Sequence, residues 1–204
     1  FLKIVSDINT SYPILFGGYT TNSAMNKDII IGILDQSTTD TTATFKLGTP
    51  TDDEAVNDFA LMGSSSGAGD GCAAGYNTIL NKDIYLTGIS FDVTSGYIDT
   101  SFTKTISGAG DEVANAIVYD DNTGCYLVAG YTNSYGNGGK DVYVIAYDPS
   151  QDIIVWEKTF GDTMDDEALD IDFYNGDSII TVTGYTTDPA TLTKNIYHLA
   201  LSSY

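Results

Sequence analysis

The sequence contains no arginine, and its eight basic residues are all lysines. Twenty-eight acidic residues oppose them, so the 204-residue chain carries a formal net charge of -20. Nucleic acids and anionic membrane surfaces are bound through basic patches. We therefore expect neither a nucleic acid nor an anionic membrane surface among the partners of this protein.

Long apolar runs are also absent. No stretch approaches the roughly 20 apolar residues that a membrane-spanning helix needs, so we expect no membrane insertion. The chain begins at Phe1, with no initiator methionine and no signal peptide, which indicates a processed or partial chain.

Histidine occurs once, at His198, with no cysteine, aspartate or second histidine at ligand spacing. A Ser-His or Cys-His nucleophile would have to recruit this residue, and no G-x-S-x-G sequence surrounds a serine. A glycosidase needs only two carboxylates, so the abundant aspartates leave that chemistry open. No constellation points to it, and we predict that the protein is not an enzyme.

Cysteine occurs twice, at Cys72 and Cys125. The two lie on equivalent predicted strands of neighbouring repeats. They could form a disulfide, or they could be two inert thiols buried in the core.

Four internal repeats are present instead of any linker. A Gly-Tyr pair begins at Gly18, Gly75, Gly130 and Gly184, and a Lys-Asp or Lys-Asn pair follows each one at Lys27, Lys82, Lys140 and Lys194. Four of the eight lysines thus share one repeat position, which indicates a structural role. We predict one domain over residues 1–204, with units at about 1–48, 49–107, 108–161 and 162–204.

Each unit is predicted to contain four short strands, a to d, because runs rich in Ile, Val, Tyr and Thr alternate with Gly, Asn, Asp and Ser. The predicted loops include 36–41, 63–71, 132–139 and 187–193. The predicted strands cover residues 2–6, 14–19, 28–34 and 42–47 in unit one; 55–61, 72–76, 83–91 and 101–106 in unit two; 113–119, 125–131, 142–147 and 153–160 in unit three; and 168–173, 178–185 and 196–201 in unit four. An all-β fold is therefore predicted, and four-stranded units of this length are typical of β-propeller blades.

Unit three carries a family resemblance. Its Cys125-Tyr-Leu-Val-Ala-Gly-Tyr-Thr132 and Lys140-Asp-Val-Tyr-Val-Ile145 segments, with Trp156-Glu-Lys-Thr-Phe-Gly161 and Asp166-Glu-Ala168, resemble the W-x-K-T-F-G…D-E-A…G-Y-I-V-A-G-Y-T…D-x-Y-L-I-K repeat. That repeat belongs to tandem β-propeller proteins that are secreted or attached to microbial surfaces. The resemblance implies a propeller fold and an extracellular or cell-surface location, but no single activity. Unit one departs from the pattern, since Phe45 replaces the tryptophan.

The fourth unit lacks a strand d, so the predicted propeller of four repeats ends in a three-stranded blade. The chain could be a segment of a longer propeller, or this blade could have only three strands. Alternatively, strand c could be an open edge that pairs with another subunit, and head-to-tail pairing of this kind builds filaments. The residues of that edge are Ile196, Tyr197, His198, Leu199 and Leu201.

Acidic residues cluster where each unit passes into the next, at Asp52, Asp53 and Glu54, at Asp111 and Glu112, and at Asp165, Asp166 and Glu167. If strand a is innermost, these carboxylates would gather at one mouth of the channel and could bind Ca²⁺. Alternatively, each Asp caps its own turn while each Glu pairs with a Lys of the adjacent strand d. No D-x-D-x-D-G calcium loop is present.

Two segments are candidates for glycosylation. Asn9 lies in the only N-x-[ST] sequon, and Thr38 and Thr39 lie in a Ser/Thr run that could carry O-linked sugar. Unmodified polar loops are the alternative for both.

Together these observations predict an extracellular structural or interaction protein that assembles through the open edge of the last blade. Its partners would be copies of itself, other surface proteins or glycans. The alternative is a carbohydrate- or calcium-dependent binding module that uses one propeller face.

Overall fold

The computed structural model describes residues 2–5, 14–34, 41–65, 68–92 and 95–202. Within these ranges the chain forms β-strands and no helix, and hence no helix long and apolar enough to cross a membrane. The strands are β1 Leu2–Val5, β2 Ile14–Thr21, β3 Lys27–Leu34, β4 Thr41–Leu47, β5 Glu54–Ser65, β6 Ala68–Asn77, β7 Asp83–Asp92, β8 Tyr97–Ile106, β9 Glu112–Asp120, β10 Cys125–Thr132, β11 Asp141–Asp148, β12 Ile153–Phe160, β13 Asp166–Tyr174, β14 Ile179–Thr187 and β15 Lys194–Ser202.

These strands form four antiparallel sheets in which consecutive strands are neighbours. The first sheet holds β1–β4, the second β5–β8, the third β9–β12 and the fourth β13–β15. The all-β class and every predicted strand are confirmed, and in the described part of the chain the fourth sheet has three strands. Asn9, Thr38 and Thr39 lie outside the described residues.

One predicted loop is wrong. Residues 63–71 were expected to form a Gly- and Ser-rich connection, but the strands on both sides extend into it and pair up to Ser65↔Ala68. The pairing uses the backbone, and the register shifts between Met62 and Ser64. Side-chain patterning does not predict such an extension, because glycine and serine can pair through the backbone without an alternating apolar pattern.

The four sheets stack face to face. The first strands of successive sheets pack together, so that β5 and β13 both contact β9, and β5 also contacts β2 and β1. Among the described strands, no comparable contact joins the fourth sheet to the first. The third sheet is covered on both faces, which is why all eight residues of β11 are buried and its sequence is a nearly continuous apolar run.

In the second, third and fourth sheets the repeat glycine is required by a bulge in the first strand. The register skips Asn57 in β5, Asn115 in β9 and Leu169 in β13. Beside the bulge, a carbonyl oxygen of the first strand approaches the second strand so closely that any Cβ on the glycine would collide with it. The colliding pairs are Gly75 with Ala55, Gly130 with Val113 and Gly184 with Glu167.

The candidate disulfide is not formed. Cys72 belongs to the core between the second and third sheets, whereas Cys125 belongs to the core between the third and fourth sheets. Both thiols are free and buried, and they lie on opposite sides of the third sheet. Stacked sheets lie about 10 Å apart, which is beyond the reach of a disulfide. Burial raises the pKa of both thiols.

Candidate functional site

The outermost strand of the fourth sheet, β15, is paired on one side only. It pairs with β14 from Ile179↔Ser202 to Thr187↔Lys194, and no described strand pairs with its other side. In each of the other sheets the equivalent third strand (β3, β7 or β11) lies between two partners. In the fourth sheet the third strand, β15, is therefore an edge strand.

The side chains of the predicted edge divide between the two faces of the sheet. Tyr197, Leu199 and Leu201 are half-buried and pack on the core shared with the third sheet. His198 is exposed on the opposite face, and Ile196 is 91% exposed. At the position equivalent to Ile196, Val142 of β11 is fully buried.

The face of the fourth sheet that points away from the third sheet, here called the outer face, is more polar than its equivalents. In the third sheet the same repeat positions pack against the fourth sheet and are apolar. Five of these apolar positions hold polar residues on the outer face: Ala116, Val118, Leu127, Ala129 and Val144 correspond to Asp170, Asp172, Thr181, Thr183 and His198. A polar outer face is the usual end of a stacked repeat array.

The residue at the bulge of the first strand also differs between the fourth sheet and the two sheets before it. Asn57 Nδ2 donates to the carbonyl oxygen of Ala114 at 2.8 Å, and Asn115 Nδ2 donates to that of Ala168 at 2.7 Å. Each bulge thus carries an amide that bonds to the next sheet. The fourth sheet has Leu169 at this position, 53% exposed. The outer face therefore lacks the group that joins the other sheets.

One aspartate of each acidic junction has a structural role. Asp53, Asp111 and Asp165 accept hydrogen bonds from backbone N–H groups of the preceding sheet. The donors are Lys27 at 2.8 Å, Lys82 at 3.0 Å and Lys140 at 3.0 Å. These aspartates were expected to cap their own turns, and instead they join each sheet to the one before it.

The repeat lysines lie over the repeat tyrosines. The distance from Nζ to the ring centre is 4.6 Å for Lys27 and Tyr19, 4.7 Å for Lys82 and Tyr76, 3.7 Å for Lys140 and Tyr131, and 3.5 Å for Lys194 and Tyr185. Such cation–π contacts explain why the same lysine recurs in each unit. The shared lysine position is structural, as the repeat pattern indicates.

Glu167 is held between the third and fourth sheets. It accepts hydrogen bonds from Lys140 Nζ at 3.0 Å, Tyr185 Oη at 2.8 Å and Asn115 Nδ2 at 2.9 Å. Burial alone would raise the pKa of Glu167, but these three bonds hold that pKa below its ordinary value. The expected pairing with a lysine of strand d is therefore wrong for Glu167, because its partner Lys140 belongs to the start of β11. The strand-d lysine Lys104 pairs with Asp152 instead.

The eight candidate calcium ligands are divided among three junctions. The described residues contain no group of three or more acidic, histidine or cysteine side chains that could hold a metal ion. Asp52 and Glu54 both accept a hydrogen bond from Thr49 Oγ1, at 3.0 and 3.1 Å. A shared calcium site built from all three junctions is therefore not observed.

Three carboxylates that the sequence interpretation missed lie at these junctions. Asp28, Asp83 and Asp141 follow the repeat lysines, and they lie beside the first residues of the next sheet, Glu54, Glu112 and Asp166. The Lys-Asp marker was visible in the sequence, but nothing in it indicated that the aspartate meets an acid from the next unit. Asn195 occupies this position in the fourth unit.

Comparison of the sequence with protein-family models and with curated proteins gave no match.

Proposed function

We propose that this chain is an extracellular structural protein that assembles with copies of itself by strand addition at β15. Its sheets would be blades of a propeller-type array, and a strand from a second copy would complete the fourth blade. The proposal assigns no catalytic step to the protein.

The observation that carries the proposal is the contrast between β15 and the equivalent strands. β3, β7 and β11 each pair with a fourth strand, whereas β15 keeps the apolar sequence of an interior strand without one. Ala200 of β15 is small, like the equivalent Ala146 of β11. Ala146 pairs with Trp156 of the outer strand β12. An edge of nine residues without proline is an available template for another strand.

The chain itself supplies the fitting occupant. The outer strands of the second and third sheets carry an aromatic residue opposite this small residue, in the pairs Gly88↔Phe102 and Ala146↔Trp156. An outer strand of a second copy would meet Ala200 in the same way. The propeller arrangement is supported by the consecutive strand order in each sheet and by the contacts between first strands.

Negative-stain electron microscopy of the natively purified protein tests the assembly. Regular fibres are expected, and a synthetic peptide with the sequence of β12 (IIVWEKTF) should shorten them by occupying the β15 edge. A scrambled peptide of the same composition is the matched control. Discrete single-chain particles at all concentrations would overturn the proposal.

Proline substitutions locate the contact. Neighbouring residues of a strand direct their N–H groups to opposite sides. One of the two variants His198→Pro and Leu199→Pro therefore removes an N–H group that faces away from β14, and this variant leaves the pairing with β14 intact. That variant should remain a folded monomer by circular dichroism and form no fibres. If both variants fold and both still polymerise, assembly does not use this edge.

A further inference from the structure

Two carboxylates meet at each junction between sheets. One is the aspartate at the start of a third strand, and the other is the first residue of the next sheet. The three pairs are Asp28 with Glu54, Asp83 with Glu112, and Asp141 with Asp166. In the second and third pairs all four side chains are more than nine-tenths buried.

The Asp141–Asp166 pair closes around a glycine. A Cβ on Gly161 would lie against both Asp141 Oδ1 and Asp166 Oδ2, so the two carboxylates face the same small space. The other oxygen of Asp141, Oδ2, accepts the N–H of Asn137 at 3.0 Å, and Asp166 Oδ2 accepts the N–H of Asp162 at 2.8 Å. Asp141 Oδ1 and Asp166 Oδ1 have no hydrogen-bond partner among the described residues.

The Asp83–Glu112 pair lies at the equivalent junction, where Ser107 occupies the position of Gly161 and its side chain hydrogen-bonds to Asp83. A Cβ on Gly108 would lie 2.6 Å from Glu112 Oε2, and the backbone of Gly108 hydrogen-bonds to Asp83. Glu112 Oε1 accepts the hydroxyl of Thr132 at 2.8 Å. Within the described part of the chain, Asp83 Oδ1 and Glu112 Oε2 are without a partner.

Within the described residues, no lysine forms an ion pair with these carboxylates. Lys82 Nζ lies over the ring of Tyr76, and Lys140 Nζ lies over Tyr131 and bonds to Glu167. Two buried carboxylates side by side repel each other and have lost their hydration, so the folded state favours a cation or a shared proton between them. Burial accordingly raises the pKa of Asp83 and of Asp141, and for Asp141 the charge of Asp166 adds to the effect.

The Asp28–Glu54 pair differs, although it lies at the same repeat position. Asp28 is only half-buried and accepts Asn22 Nδ2 at 3.0 Å. Both oxygens of Glu54 accept hydrogen bonds from Thr49, at 3.1 Å from its hydroxyl and 3.3 Å from its N–H. This pair is satisfied by protein donors and serves as an internal control.

We propose that the Asp83–Glu112 and Asp141–Asp166 pairs each bind one hard divalent cation between adjacent sheets. Carboxylate oxygens are the ligands that Ca²⁺ and Mg²⁺ prefer, and water and backbone oxygens complete the coordination of such ions. A shared proton bridges only two oxygens, whereas a hard cation takes several oxygen ligands at once. The inference does not depend on the assembly proposed above.

Isothermal titration of the chelator-treated full chain with CaCl₂, and separately with MgCl₂, tests the inference. Two sites per chain are expected for at least one of the two ions. Asp141→Asn with Asp166→Asn should leave one site, and so should Asp83→Asn with Glu112→Gln. The matched control, Asp28→Asn with Glu54→Gln, should keep both sites. Circular dichroism in chelator checks that each variant is folded, which is expected because the amides remove the repulsion.

Three outcomes would overturn the inference. The unaltered chain could bind neither ion at millimolar concentration and show no cation-dependent melting temperature. The folded double variants could keep both sites, which would place the cations elsewhere. The chain could also bind no cation while its free energy of unfolding falls as the pH rises. If Asp141→Asn abolished that pH dependence, the Asp141–Asp166 pair would share a proton instead.

Discussion

The third and fourth sheets contain the same strand in two environments. β11 lies between two strands and between two sheets, and all of its residues are buried. β15 pairs on one side only, and one of its faces is exposed along its whole length. The two strands nevertheless share their repeat position and much of their apolar pattern. Burial in this fold is therefore set by the place of a strand in the stack as well as by its own sequence.

The comparison also shows where the sequence adapts to the change of environment. The outer face replaces apolar residues with Asp170, Asp172, Thr181, Thr183 and His198, and Leu169 replaces the asparagine that joins sheets. The inward residues Tyr197, Leu199 and Leu201 keep their apolar character and pack on the third sheet. The face has thus become polar, whereas the edge has kept the apolar, proline-free sequence of an interior strand.

The largest difference is expected from one substitution at equivalent positions. Val144→Asp places a carboxylate in the core between the third and fourth sheets and should cost more than about 4 kcal/mol of unfolding free energy. His198→Asp, on the exposed outer face, should change it by less than about 0.5 kcal/mol. Urea denaturation followed by circular dichroism measures both. Equal losses would mean that the outer face is covered in solution.

A smaller difference is expected from the repeat lysines. Lys140→Met removes the ion pair with Glu167 and the cation–π contact with Tyr131, and it should cost about 2 kcal/mol because Glu167 is largely buried. Lys194→Met removes the contact with Tyr185 and should cost about 0.5–1 kcal/mol. Thermal and urea unfolding compare the two variants. Lys158→Met on the exposed strand β12, whose Nζ lies 5.2 Å from the ring centre of Trp156, is the control for loss of an exposed cation–π contact. A larger loss at Lys194 would contradict the assignment of Lys140 to the contact between sheets.

The sequence predicts the strands well because the determinants of each strand are local. Alternating Ile, Val and Tyr with Gly-Asn-Asp turns is sufficient to locate all fifteen described strands, and the period of the repeat indicates how the units follow one another. The junctions were harder, since their chemistry joins residues about 25 positions apart. Nothing in the sequence near Asp141 shows that it meets Asp166, and nothing near Asp165 shows that it accepts the N–H of Lys140.

The pairing of β5 with β6 in the second sheet shows a different limit. Pairing of Ser65 with Ala68 depends on the backbone, and glycine and serine give no side-chain pattern that would predict it. The sequence left two alternatives for the cysteines, a disulfide or two buried thiols, and the structure shows two buried free thiols. Each thiol points toward the sheet that follows its own. The equivalent positions therefore place Cys72 and Cys125 on opposite sides of the third sheet.

A third comparison exchanges the bulged residues of the third and fourth sheets. Asn115→Leu removes the hydrogen bonds to Glu167 and to the carbonyl of Ala168, and it should cost about 1–2 kcal/mol. The reverse change, Leu169→Asn, adds an amide on the exposed outer face and should change unfolding by less than about 0.5 kcal/mol. Asn57→Leu is the matched control, since Asn57 donates to Ala114 one sheet earlier and should lose a similar amount. A clear stabilisation by Leu169→Asn would indicate that a further backbone carbonyl lies against the outer face, as it would if another sheet were docked there.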